Sequence, residues 1–223
     1  MTFSIVARDD SGAFGSAICS SSPAVAARCV HLADDIGGVN SQNITDPRLG
    51  PAVLDRLHAG LPADEALQAV VDAAPHIEFR QILVVDDAGR TAAYSGPQAL
   101  GVFGDASGAG VVTGGNMLAS AGIPQLMVDA FTAASGDLEV RLLAAMTAAR
   151  DAGGEAGPVH SAGLSVVRDA GWRVTDLRVD WTEGDPIAEL GDLLERWLPQ
   201  RDDYVTRGID PSAAPSYGVP GDE

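Results

Sequence analysis

Thr2, in the opening stretch "MTFSIVARDD", carries a side-chain hydroxyl and would carry a free backbone amine once Met1 is removed. A threonine hydroxyl is a weak nucleophile until a base takes its proton, and an N-terminal amine is one way to supply that base. An α-amino group has a reference pKa of roughly 7.7 to 8.0, so part of it is neutral near pH 7 in ordinary surroundings. A small residue at position 2 exposes the initiator methionine to aminopeptidase. Thr2 is therefore either an ordinary strand residue or half of a self-contained nucleophile and base. Attack on a carbonyl also needs donors aimed at the oxyanion that forms. "GGNMLAS" suits that role: Gly114 and Gly115 let backbone approach a substrate closely, and Asn116 offers an amide donor. An asparagine after glycine also serves as a turn residue.

Other polar residues have two readings each. Ser20, Ser21 and Ser22 follow the second expected strand, where a hydroxyl either hydrogen-bonds the N-terminal amine and substrate or satisfies its own loop backbone. Gln42 and Asn43, in "SQNITDP", either face a substrate or form an Asx-type turn. Arg80 either anchors a substrate carboxylate by a paired contact or caps a strand edge.

Familiar alternatives are missing. The chain has no G-x-S-x-G elbow, H-E-x-x-H, C-x-x-C or P-loop. "GAGVVTG" matches a dinucleotide fingerprint only loosely, with no βαβ unit around it. The four histidines, His31, His58, His76 and His160, are scattered, with no pair at a metal-ligand spacing. Cys19, in an apolar strand, reads as a small buried hydrophobe rather than a nucleophile. No cofactor and no metal site are expected.

These residues need elements to position them. "TFSIVAR" and "AFGSAIC" flank the turn signal "DDSG" and predict a hairpin that starts at Thr2. An extended stretch is expected from Gly37 to Ile44, then helices over Pro51 to Gly60 and "PADEALQAVVDAA". "FRQILVVD" and "RTAAYSG" predict a second hairpin, and one short strand is expected near Val111 to Thr113. Two helical patterns follow, "GIPQLMVDAFTAAS" and "DLEVRLLAAMTAARDAGG", the second with Leu138, Leu142, Leu143 and Met146 on one face. "SAGLSVVRD" and "WRVTDLRVDW" predict a third hairpin, and "DPIAELGDLLERWLP" a final helix. Hairpins rather than βαβ crossovers favour a layered α+β domain over residues 1–200. Residues 201–223, with Pro211, Pro215 and Pro220, read as an extended tail.

The chain of 223 residues fits one domain. Fourteen basic residues, all arginine, against 31 acidic ones give a formal charge of -17, which disfavours nucleic acid and anionic membrane as partners. No run of about 20 apolar residues is present to span a bilayer. Two cysteines imply no disulfide framework, and the cytoplasm is the expected location. Because two-fold dimers are the commonest soluble assembly, a homodimer is the default expectation.

"MTFSIVARD", "GAFGSAICSSSPAVAAR", "RQILVVDDAGRTAAYSG", "GGNMLAS" and "SAGLSVV", in order along about residues 1 to 200, resemble an uncharacterised bacterial domain-of-unknown-function family. That family is grouped with the Ntn (N-terminal nucleophile) hydrolases. The resemblance implies a four-layer αββα sandwich and hydrolysis of an amide bond in a small metabolite or peptide-like substrate. Thr2 would be the nucleophile after loss of Met1, and Asn116 would stabilise the oxyanion. Proteasome-like members place a lysine near the nucleophile. This chain has none, which leaves Arg28, Arg80 or neutral donors to assist Thr2. The competing expectation is a non-catalytic αββα protein that binds a small ligand or assembles with copies of itself.

Overall fold

A computed structural model describes residues 2–221. Its elements, in chain order, begin with β1 (Thr2–Arg8), β2 (Phe14–Ser20), α1 (Val25–Cys29), β3 (Val30–Ala33) and β4 (Gly37–Asn43). Helices α2 (Leu49–His58) and α3 (Ala63–Ala73) lead to β5 (Arg80–Asp86), β6 (Thr91–Ser95), β7 (Gly104–Gly108) and β8 (Val111–Asn116). The chain continues with α4 (Ile123–Ala133), α5 (Leu138–Asp151), β9 (Ser161–Val167), β10 (Arg173–Val179) and α6 (Pro186–Ile209).

The ten strands form two antiparallel sheets, ordered β10-β9-β2-β1-β8-β7 and β3-β4-β5-β6. Every expected hairpin forms. In the first, the Asp9 carboxylate accepts from the Ser11 and Ala13 backbone N–H groups at 2.9 and 3.1 Å, and Gly12 takes a positive φ to close the turn.

Strand alternation decides what each face of a sheet meets. On β1, Phe3, Ile5 and Ala7 join a core with Met127, Leu138, Leu142 and Leu190 from α4, α5 and α6. Val6 points the other way, into a second cluster with Phe14, Val112, Leu83 and Val85. Leu83 and Val85 belong to β5, so this cluster lies where the inner faces of the two sheets meet. On β5, Ile82 and Val84 instead pack with Val53, Leu57, Leu67 and Val70 of α2 and α3. Helices thus cover the outer face of each sheet, and strands as central as β1 and β2 are buried on both sides. Each fully buried large aliphatic or Phe side chain there contributes about 1.5–3 kcal/mol.

Four segments differ from the sequence expectation, among them β3, which pairs with β4 and has no counterpart among the expected elements. Helix α1, with five residues, is too short to show a helical period. It lies directly on β9, where a Cβ on Gly163 would come within 2.6 Å of nothing but Ala26, at 2.4 Å. Strand β7, "GDASG", pairs at the sheet edge with β8 and has no apolar alternation to announce it. The largest difference concerns α6, which runs through Pro199 to Ile209 across the start of the expected tail.

Side chains on α6 explain that extension. The Arg201 guanidinium is buried and donates to Glu139 at 3.2 Å and to Asp137 at 3.1 Å. Glu139, fully buried, also accepts from Arg168 at 2.8 Å and from the Thr175 hydroxyl at 2.8 Å. Trp197 donates to the Thr175 oxygen at 3.0 Å and stacks on Tyr204. Removing one member of a buried ion cluster strands the others without compensation. Glu139→Ala should therefore lower unfolding stability by about 3–5 kcal/mol in urea titrations, while Ala substitution of exposed Glu195 on α6 leaves it within about 0.5 kcal/mol.

Candidate functional site

At the end of the six-stranded sheet where β1 begins, one rung across four strands is polar. Thr2 pairs with Asn116 of β8, and Ser20 of β2 pairs with Ser161 of β9. The Thr2 hydroxyl donates to the Ser20 hydroxyl at 3.4 Å, joining the two halves of the rung. All four side chains are buried. Residues directly opposed in antiparallel strands share a face, with Cβ atoms roughly 4.5–5.5 Å apart. Thr2 and Asn116 therefore stand side by side, facing the smaller sheet.

The smaller sheet answers with carboxamides. The Ser4 hydroxyl donates to Gln42 Oε1 at 2.6 Å, and Gln42 Nε2 donates to Gln81 Oε1 at 2.8 Å. Asn116 Nδ2 donates to the same oxygen at 3.2 Å. Gln81 Nε2 donates to the Gly115 carbonyl at 3.1 Å and to the Ser95 hydroxyl at 2.9 Å. One rung deeper, Ser16 donates to Asn40 Oδ1 at 2.8 Å. Ser4, Ser16, Asn40, Gln42, Gln81 and Asn116 are all fully buried. A polar group buried without a partner costs a few kcal/mol, so such a network is tolerated only because its members pair.

The network also fixes orientation. Gln81 must aim its nitrogen at a carbonyl, which leaves its oxygen for Asn116, and flipping the Asn116 amide would set two acceptors face to face. Asn116 Oδ1 is then left buried with no hydrogen-bond partner. One Asn116 N–H is taken up by Gln81, and an NH₂ group carries a second.

Beside the rung lies a cavity of about 360 Å³, lined in part by Thr2, Ser22, Arg28, Cys29, Asn43 and Thr45. That volume falls in the range of small-molecule sites, roughly 300–1,000 Å³. Its rim is organised by hydroxyls: Ser20 and Ser22 lie 2.9 Å apart, Arg28 donates to Ser22 at 3.0 Å, and Ser161 donates to the Ser22 carbonyl at 2.6 Å. A larger groove of about 510 Å³ between α2 and α3 contains no part of this network. Burial pushes the Cys29 thiol up from its ordinary range. Cys19, on the opposite face among apolar side chains, is pushed well up by burial and by the Glu155 charge.

The residues singled out in the sequence divide into two groups. Thr2, Ser20, Gln42 and Asn116 come together in one hydrogen-bonded region, with Gly115 alongside. Gly115 contributes its carbonyl as an acceptor, and a Cβ there would meet Leu118 at 2.6 Å and the Thr2 carbonyl at 3.1 Å. Ser21 turns its backbone N–H to Glu155 Oε1 at 3.2 Å. Asn43 lines the cavity but is engaged in chain geometry, with a φ of 70°, its Nδ2 on the Phe79 carbonyl and its Oδ1 accepting from Leu100 N–H at 3.2 Å. Arg80 donates to the Ile44 carbonyl, away from Thr2. Removal of Met1 concerns a residue outside the described ones. Among the described residues, no group of three His, Cys, Asp or Glu side chains is arranged to hold a metal ion, and no helix is long and apolar enough to cross a membrane.

Gln81, Ser4 and Glu155 escaped notice as site residues. Gln81 alternates with Leu83 and Val85, and Ser4 with Val6, so each is polar at a position whose strand neighbours are core. That break in pattern was a readable signal. Glu155, in the loop before β9, carries none. It is buried, its Oε2 has no hydrogen-bond partner, and burial pushes its carboxyl up to about 7. The positive charge of the chain's amino terminus and the Ser21 hydrogen bonds oppose that shift.

Fold and site together define an α+β protein with two facing antiparallel sheets and a polar, cavity-adjoining end. A model of a family of unknown function, DUF1028, matches residues 2–190, and the chain belongs to that family. The crystal structure of protein SPO2555 from Silicibacter pomeroyi, assigned to the same family, is similar at a TM-score of 0.85 and 28% identity, over 92% of this chain and 94% of that one. Anbu, the ancestral beta-subunit from Yersinia bercovieri, is similar at a TM-score of 0.40 and 10% identity, over 89% and 97% of the two chains, too slight a likeness to carry an argument. No curated protein matches the chain.

Gln81 serves Gln42, Asn116 and the Gly115 carbonyl at once. Gln81→Leu should cost at least about 2 kcal/mol in chemical denaturation despite its similar size, because it strands those buried groups.

Proposed function

We propose that the chain is an amidohydrolase of the N-terminal-nucleophile type, with Thr2 as nucleophile once Met1 has been removed. The observation that carries this reading is the buried rung in which Thr2 lies beside Ser20 and Asn116 and opens on a cavity. Two facing sheets with helices on their outer faces are also what the four-layer αββα sandwich of such hydrolases requires.

In the proposed reaction the Thr2 α-amine takes the proton from Thr2 Oγ1, which attacks the carbonyl carbon of a small amide or peptide-like substrate. The carbonyl oxygen gains negative charge, and the second N–H of Asn116, paired across the sheet with Thr2, is the donor assigned to receive it. Breaking the C–N bond passes the proton from the ammonium to the leaving amine. The acyl-threonine ester left behind is hydrolysed by a water that the freed amine activates. Arg28, which lines the cavity, supplies positive charge at the substrate end in a chain without lysine.

Thr2→Ala should reduce turnover of any amide the wild type cleaves by at least about 10³-fold while leaving the circular dichroism spectrum unchanged. Undiminished turnover in that variant would show that Thr2 is a strand residue only, and the cavity would then be read as a site for non-catalytic ligand binding.

A further inference from the structure

The first residue of β1 ends next to a segment that takes over its place in the sheet. Beyond Asn116, the chain of β8 continues and pairs with residues 154–156, through Ala119 N–H to the Gly154 carbonyl and Ala156 N–H to the Met117 carbonyl, both at 2.9 Å. Its other edge is occupied by the approach to β7, because Met117 and Leu118 donate to the carbonyls of Leu100 and Val102 at 2.8 Å. Residues 154–156 therefore lie on the β1 side of β8, in line with the start of β1. Glu155 forms an antiparallel bridge with Leu118 there. From the β2 side, Ser21 N–H reaches Glu155 Oε1.

Two buried acceptor atoms without partners thus flank the beginning of β1: Asn116 Oδ1 on β8 and Glu155 Oε2 at the strand's head. Buried acceptors of this kind call for a donor, and an α-ammonium is a donor-only group with a charge opposite to that of a carboxylate. We propose that Glu155 is a positioning residue that receives the α-ammonium of a chain beginning at Thr2, with Asn116 Oδ1 as the second acceptor. This inference rests on the reading of Thr2 as an N-terminal nucleophile. Its role in that reaction is electrostatic. When the amine accepts the Thr2 Oγ1 proton it becomes positive, and an adjacent carboxylate stabilises that charge while the oxyanion develops.

The other titratable neighbours are Cys19 from β2, whose thiol stays neutral, and His160 at the entry to β9. His160 stacks on Trp181 at 4.3 Å, with Nδ1 2.8 Å from the Thr182 carbonyl, and its charge acts on Glu155 in the same direction as the amine would.

The test uses full-length protein released by a protease that cuts immediately before Thr2, with ¹⁵N-threonine to follow the α-amine by NMR as pH is varied. An opposite charge within about 4–6 Å moves a pKa by roughly 1–3 units. In Glu155→Gln the amine midpoint should fall by about one unit or more relative to wild type. Equal midpoints would overturn the proposal. A second measurement needs no substitution: the Glu155 carboxyl, read by ¹³C, should titrate at higher pH after the Thr2 amine is acetylated, because coupling is reciprocal. An unmoved carboxyl midpoint would also overturn it. Both readouts are independent of turnover, so absence of hydrolysis in wild type would count against the amidohydrolase reading, and only unchanged midpoints count against Glu155.

Discussion

Two sheets pressed face to face leave no water to satisfy polar atoms between them, and the Gln81 carboxamide makes the polar end of this interface tolerable. It accepts from Gln42 and Asn116 and donates to the Gly115 carbonyl, so it joins β4, β5 and β8 across the gap. Toward the other end of the same interface Val6, Phe14, Leu83, Val85 and Val112 fill the space, and Ser16 and Asn40 beside them satisfy each other. The contrast between the two ends is the physical signature of the site. An interior built for stability alone would extend the apolar packing, since each buried polar side chain gains little even when fully paired.

Much of the fold was legible because strand alternation and helical periodicity are local. The three hairpins and the helices from α2 to α5 sit within a few residues of where apolar spacing and turn residues place them. What escaped depended on distant partners. The five residues of α1 have too little length for a period, and β7 is an edge strand of small and polar residues held by β8. Pro199 reads locally as a stop, yet α6 continues because Arg201 finds Glu139, 62 residues earlier, and Tyr204 finds Trp197.

The site was legible in its members and not in its wiring. Thr2, Ser20, Gln42 and Asn116 are recognisable as residue types suited to chemistry, and hairpin register alone nearly sets Thr2 opposite Ser20. That Asn116 should be Thr2's other neighbour depends on β8 pairing with β1 across more than a hundred residues, which no local pattern encodes. Asn43 and Arg80 looked equally suitable by type. In the folded chain they hold the Phe79 and Ile44 carbonyls and shape the loops there. Glu155 lay in a glycine-rich loop with no periodic signal, and only the bridge to Leu118 brings it to the head of β1.

The rung, the cavity and the two unpartnered acceptors converge on one small region at the start of β1, and the account turns on whether the chain in the cell begins at Thr2. The most direct measurement is the intact mass of the protein expressed without an N-terminal tag. A mass lower by one methionine residue is the predicted result and leaves the Thr2 amine free to act as a base. A mass that retains Met1 would mean an acylated Thr2 nitrogen with no base function, and would contradict the central claim.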